Sequence, residues 1–156
     1  MLTSIAITAV RVLDQQEALD FYVGKLGFEV SADVDMGFMR WLTVALPADP
    51  DRHLLLEVPA PPALSEESAA QVRDLLTKGA LGVACILNTD DCQAEYERLS
   101  ALGVEFTELP TQQPYGVDAA FRDPFGNHIR MTQPARGPVT VTEEDIARWG
   151  GDAPHA

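Results

Sequence analysis

The chain repeats itself. The segment from Asp14 to Val30 lies over the segment from Asp90 to Phe106 at one constant offset, which pairs Asp14 with Asp90, Ala18 with Ala94, Leu26 with Leu102, Gly27 with Gly103 and Glu29 with Glu105. Two copies of one supersecondary unit are implied, each too small to bury its apolar face alone. The 156 residues make about one domain. The copies divide it into module one at about 4–59, a linking helix at about 65–78 and module two at about 82–134, within a domain of residues 1–134 that leaves 135–156 as a tail.

Both copies follow one local grammar. An apolar stretch, Ile5 to Leu13 or Gly82 to Thr89, reads as a strand, after which an Asp offers a carboxylate to the orphan amides of a helix start. Ala18, Phe21, Tyr22 and Leu26 fall on one face of the first helix, and Ala94, Leu99 and Leu102 on one face of the second. Gly27 and Gly103 stop the helices, and extended segments follow at Phe28 to Ala32 and Val104 to Glu108. Strands at Gly37 to Leu46 and His53 to Pro59 flank the turn Pro47 to Asp51; strands at Asp118 to Arg122 and His128 to Gln133 flank Asp123-Pro124-Phe125-Gly126-Asn127. Each half is thus a βαβββ unit, and the fold class is α+β. Ser65-Glu66-Glu67 opens the linking helix, Thr142-Glu143-Glu144-Asp145 opens a short C-terminal one, and Gly150 to Pro154 is expected to fray.

Charge and composition exclude several partners. Eleven Lys and Arg against 24 Asp and Glu leave a net charge of −13, which repels nucleic acid and anionic lipid alike. No apolar run is long enough to cross a membrane and the first residues lack a signal peptide's basic start, so a cytoplasmic protein is expected. Cys85 and Cys92 form neither a CxxC nor a Cys/His cluster and read as reduced packing residues. A nucleophile elbow, a phosphate loop and a dinucleotide fingerprint are all missing from the sequence.

The doubled βαβββ plan, with Asp14, Phe21-Tyr22, Leu26-Gly27-Phe28 and the later Phe121-Arg122-Asp123-Pro124-Phe125-Gly126-Asn127, resembles the vicinal oxygen chelate superfamily over about residues 4 to 133. That group contains glyoxalase I, extradiol dioxygenases and bleomycin or fosfomycin resistance proteins. The resemblance implies curved mixed sheets around a central cavity, closed within one chain or across a homodimer. Strand alternation then points Ile7, Ala9 and Arg11 into the cavity, with Glu57, with Ala84, Ile86 and Asn88, and with His128, Arg130 and Thr132. Trp41 and Tyr115, with Phe38 and Phe125, are aromatic candidates for a flat ligand; Tyr115 stands just before a strand, where such proteins place a loop over the pocket.

Enzymes of that superfamily hold a divalent cation at four places, which fall here on Ile7, Glu57, Ala84 and Arg130. Only Glu57 carries a suitable lone pair, and Arg130 sets a fixed positive charge where the cation would be. The first expectation is therefore a metal-free, cofactor-free binding protein for a small organic molecule, with a Glu57–Arg130 pair replacing the ion and Arg11 and His128 close by. The alternative is an enzyme, either metal-dependent with a displaced site of Glu57, His128 and His53, or metal-free with Glu57 or His128 moving a proton. A third reading is a purely structural interaction module. His155, in the tail, is given no role.

Overall fold

In the computed structural model, which describes residues 1–151, the two copies take the same topology. Module one runs β1 (Ile7–Arg11), α1 (Gln15–Tyr22), β2 (Glu29–Asp35), β3 (Arg40–Leu46) and β4 (Asp49–Glu57), with strand order β1-β4-β3-β2. After α2 (Glu66–Thr77), module two runs β5 (Val83–Asn88), α3 (Cys92–Ala101), β6 (Phe106–Gln113), β7 (Gly116–Arg122) and β8 (His128–Pro134), with order β5-β8-β7-β6. A final helix, α4 (Glu143–Gly150), follows. In each sheet the first strand pairs parallel with the fourth and the other pairings are antiparallel.

Local chemistry sets the boundaries. Asp14 caps α1 and Asp91, one position beyond the repeat partner of Asp14, caps α3; each side chain accepts the backbone N–H three residues on. Gly27 and Gly103 take left-handed backbone at φ 86° and 84°, as helix stops require. The first hairpin is tighter than its composition suggests. β4 already begins at Asp49, and Pro50 sits in it next to the register break between Val44 and Leu46, where a missing N–H does least harm.

The helix-covered faces of both sheets feed one core. Val10, Leu42, Val44 and Leu56 join Phe21 and Tyr22 of α1 on one side, and Ala119, Phe121, Ile129 and Met131 join Leu99 of α3 on the other. The Phe21 and Phe121 rings meet at 6.3 Å across the modules. A polar clasp reinforces this contact: the Tyr22 hydroxyl donates to Asp123 Oδ2 at 2.8 Å, and Asn127 Nδ2 donates both to that oxygen at 2.7 Å and to the Arg11 carbonyl at 2.6 Å. Asp123 Oδ1 meanwhile accepts the backbone N–H groups of Phe125, Gly126 and Asn127. At Gly126 (φ 112°) a β-carbon would stand 2.2 Å from the Leu76 carbonyl oxygen, so only glycine lets α2 end against this turn.

Three expectations about burial are corrected. Ala94 and Leu102 are exposed, and α3 instead buries Cys92 and Leu99 while Tyr96 packs edge-on against Phe106 at 4.8 Å. Thr8, placed on the helix side with Val10 and Val12, remains exposed beyond the reach of α1. The sheets also do not enclose a cavity within the single chain, because their helix-covered faces point toward the shared core and leave the opposite faces open. Ile7 and Ile86 on those open faces are 44% and 61% exposed. The fraying expected at Asp152 to Pro154 and the role denied to His155 lie outside the described residues.

Candidate functional site

Each open face carries its own ion cluster. On the module-one sheet, Arg11 and Glu57 are register partners of the parallel β1–β4 pair, and Arg11 Nη1 meets Glu57 Oε2 at 2.5 Å. Ala9 of the same strand is exposed and Trp41 of β3 is half-buried. Beside Glu57 a cavity of about 300 Å³ opens between Gln15, Phe38, Arg40 and Pro61. His53 is held by Ser31, whose hydroxyl lies 2.8 Å from Nδ1 and also 2.8 Å from Thr43 Oγ1.

On the module-two sheet Arg130 is the centre. Its Nε donates to Asp118 Oδ2 at 2.9 Å, Nη2 donates to the same oxygen, and Nη1 and Nη2 reach Glu108 Oε1 and Oε2 at 3.2 and 2.7 Å. The Asp118 side chain is 2% exposed and takes a further hydrogen bond from Thr132 Oγ1 at 2.8 Å. Arg130, 20% exposed, is thus fixed by two carboxylates. Glu108 and Asp118 hold its guanidinium proton more firmly than usual, and Arg130 in turn pulls the Glu108 carboxyl below its ordinary range. Burial, then the cations Arg122 and Arg130, push the His128 imidazole down, which favours its neutral form. Tyr115, in the turn between β6 and β7, is half-buried; burial and then the Asp118 carboxylate raise its hydroxyl. Two carboxylates against one guanidinium leave this cluster net negative.

The expected Glu57–Arg130 pair is not formed. Each residue finds its counter-charge on its own sheet. Ile86 and Asn88 stand exposed on β5, but the register break between Val83 and Cys85 interrupts the alternation there, and Ala84 packs against the core with Cys85 and Leu87. Burial and the Asp123 carboxylate push the Cys85 thiol up to about 12, so it stays protonated and is no nucleophile. Phe125 is a core residue rather than a pocket aromatic.

Asp118 and Glu108 went unnoticed in sequence, although a signal existed for the first. An arginine inside a strand finds its counter-charge most readily on the neighbouring strand, and Asp118 and Ala120 are the β7 residues opposite Thr132 and Arg130. Nothing in the spacing pointed to Glu108, since two register breaks in β6 displace it.

The four positions that the resemblance assigns to a cation do not suit a dication. Ile7 and Ala84 offer no donor, Arg130 is a cation held by acids, and Glu57 is engaged by Arg11. Among the described residues, no three His, Cys, Asp or Glu side chains gather as a metal would need, and His53 and His128 lie on different sheets.

The sequence profile of the Glyoxalase/Bleomycin resistance protein/Dioxygenase superfamily matches residues 4–131. The chain belongs to that superfamily. It is 41% identical over 130 residues to the Bacillus subtilis (strain 168) protein YurT, covering 83% of this chain and 98% of YurT. Among solved structures, UcmS2 superposes with a TM-score of 0.79 at 39% identity, over 85% of this chain and 98% of that one. TnmS3, an antibiotic binding protein from Streptomyces sp. CB03234, superposes with a TM-score of 0.69 at 33% identity, over 86% and 98% of the two chains. The matched residues include the Arg130 cluster, and α4 lies beyond them. No helix among the described residues is long and apolar enough to cross a membrane.

Proposed function

We propose that this superfamily member is a metal-independent binding protein that captures a small organic molecule, in the manner of an antibiotic-sequestering relative, and that it acts as a homodimer in the cytoplasm. The observation that carries the reading is Arg130: a guanidinium locked by Asp118 and Glu108 stands where the resemblance would put a ligand to the enzymes' cation. Glu57, the one surviving donor, is tied to Arg11. The antibiotic-binding relative TnmS3, similar over nearly its whole length, supports capture as the activity. The free thiols of Cys85 and Cys92 accord with a reducing compartment.

The open faces support the dimer part of this proposal. β1 and β5 are edge strands carrying exposed Ile7 and Ile86, and an apolar edge left bare invites pairing with another chain. A second copy laid across these edges would bring the Arg11–Glu57 face of one chain opposite the Arg130 face of the other and enclose the ligand between them.

Thermal-shift titration against a panel of natural-product antibiotics tests the capture reading. A ligand at a hundred times its Kd stabilises by about 2.7 kcal/mol, which for a chain of this size raises Tm by about 5 to 10 °C. Metal analysis and light scattering complete the test. Stoichiometric transition metal, whose removal by chelator abolishes the ligand-induced shift, would overturn the proposal; so would a panel that never moves Tm.

A further inference from the structure

The duplication builds the junction between the modules twice and fills it once. At the offset that pairs Asp14 with Asp90, Tyr22 falls on Arg98, Asp123 on Pro47, Asn127 on Asp51 and Arg11 on Leu87. In the filled copy the Tyr22 side chain is fully buried and its hydroxyl donates to Asp123 Oδ2 at 2.8 Å, while Asn127 ties that carboxylate to the Arg11 carbonyl.

The other copy has none of these side chains. The turn between β7 and β8 spans 123–127, whereas the one between β3 and β4 consists of Pro47 and Ala48 alone, and Pro47 has no carboxylate to receive a donor. Arg98 turns aside and donates to Glu95 Oε2 at 2.8 Å and to the Lys25 carbonyl at 3.0 Å. A cavity of about 700 Å³ is left between Pro47, Ala48, Leu87 and Arg98. Its walls include the core side chains Leu99, Phe121 and Met131, so it opens on the helix-covered side of the sheets and not on the faces that carry Glu57 and Arg130. Asp90 stands exposed at its mouth, released from helix capping because Asp91 caps α3. It takes part in none of the ion pairs among the described residues, while Glu95 and Arg98 beside it neutralise one another.

We infer that this open junction is a binding site in its own right, which takes a small amphiphile with an apolar chain and a protonated amine head. The filled copy shows the kind of body that the junction accepts: an apolar group ending in a hydrogen-bond donor that meets a carboxylate. In the open copy the carboxylate is Asp90 at the mouth, and the donor comes with the ligand. The apolar walls supply the affinity, since each methylene moved out of water is worth about fourfold in binding. Asp90 supplies the choice of charge, in a protein whose net charge of −13 already favours cations. This site stands apart from the capture reading, which concerns the open faces, and either can fail without the other.

Calorimetric titration of butyl-, hexyl- and octylammonium, 1-octanol and octanoate into the full-length chain at pH 7 tests the inference. One amine per chain is expected, with affinity rising about fourfold per methylene along the series and falling in the order octylammonium, octanol, octanoate. Asp90→Asn should weaken octylammonium about two- to fivefold, the reach of an exposed ion pair, and leave octanol unchanged. Ala48→Trp, on the exposed turn, and Leu26→Trp, beyond α1, each fill the cavity from a different side and should weaken octylammonium and octanol alike by about tenfold, the worth of nearly two methylenes. Binding that does not saturate, that does not strengthen with chain length, or that neither filling variant lowers would overturn the site. Octanoate binding as tightly as octylammonium, or Asp90→Asn leaving octylammonium unchanged, would overturn the amine head.

Discussion

Replacing Arg130 with methionine tests whether the module-two cluster is a desolvated ion pair or a surface decoration. The substitution keeps most of the aliphatic volume but removes four hydrogen bonds, two to Asp118 and two to Glu108. Asp118, at 2% exposure, is left with Thr132 Oγ1 as its side-chain donor. Stranding a fully buried partner costs about 3 to 5 kcal/mol, and an exposed pair is worth about 0 to 1 kcal/mol. Arg130 at 20% exposure lies nearer the buried limit than Glu108 at 54% does, which places the loss at about 2 to 4 kcal/mol. Urea unfolding followed by circular dichroism reads it as a lower midpoint at constant slope. Adding Asp118→Leu removes the stranded charge, so the double variant should be more stable than Arg130→Met alone. A single-variant loss under about 1 kcal/mol, or a double variant whose loss equals the sum of the two single ones, would refute the desolvated-pair argument.

Tyr22→Phe deprives Asp123 of a charged-acceptor hydrogen bond in the buried clasp between modules and should cost about 1.5 to 3 kcal/mol in the same assay; a loss within a few tenths would mean that the clasp carries no tension between the modules. Acidification should destabilise the fold in two stages. Burial lowers the His128 pKa, so below the ordinary value of 6.5 the unfolded chain takes up a proton that the folded chain resists, and stability falls as pH drops. Arg130 lowers the Glu108 pKa, so the stability it supplies is complete above the ordinary value of 4.5 and is lost as pH falls through the folded value. A urea midpoint that stays level from pH 7 to pH 5 in wild type, or a slope there that survives His128→Asn, would contradict the first stage. Thr142→Ala breaks the α4 capping box and should speed amide exchange across Glu143–Gly150 by the loss of about 1 kcal/mol locally; a matching drop in the global midpoint would place α4 in the cooperative core instead.

What sequence reveals about this chain follows from the range of the interactions involved. The duplicated helix starts, the glycine stops and the apolar spacing are local, and they specify both βαβββ modules; the strand order within each sheet appears only in the structure. Register is also largely local: Arg11 and Glu57 come out as partners on one sheet, and Ile86 and Asn88 stand exposed on β5. Alternation fails at bulges, as at Ala84 and Glu108, because one extra residue changes the face and leaves no mark in composition. Partner choice is non-local. Glu57 and Arg130 were natural partners on a picture of two sheets facing one another, and that picture is decided by which faces the core draws together, not by either residue. Trp149 was invisible for the same reason: an indole in a polar tail gains meaning only when α4 sets it against Tyr115.

The pairing of charges within each sheet has a consequence for assembly. A Glu57–Arg130 bridge between modules would strand two charges whenever the open faces separated, and every closure would have to re-form it. With Arg11 on Glu57 and Asp118 and Glu108 on Arg130, each face is electrostatically complete by itself, and among the described residues no buried side-chain nitrogen or oxygen lacks a partner. The modules are instead joined through the Phe21–Phe121 contact and the Tyr22–Asp123–Asn127 clasp on the opposite side of the sheets. Separating the open faces therefore breaks no ion pair, and under the capture reading proposed above an uncharged ligand need not compete with a protein carboxylate for a guanidinium. Under the proposed capture reading, affinity then comes from shape and from hydrogen bonds to acceptors that are already oriented.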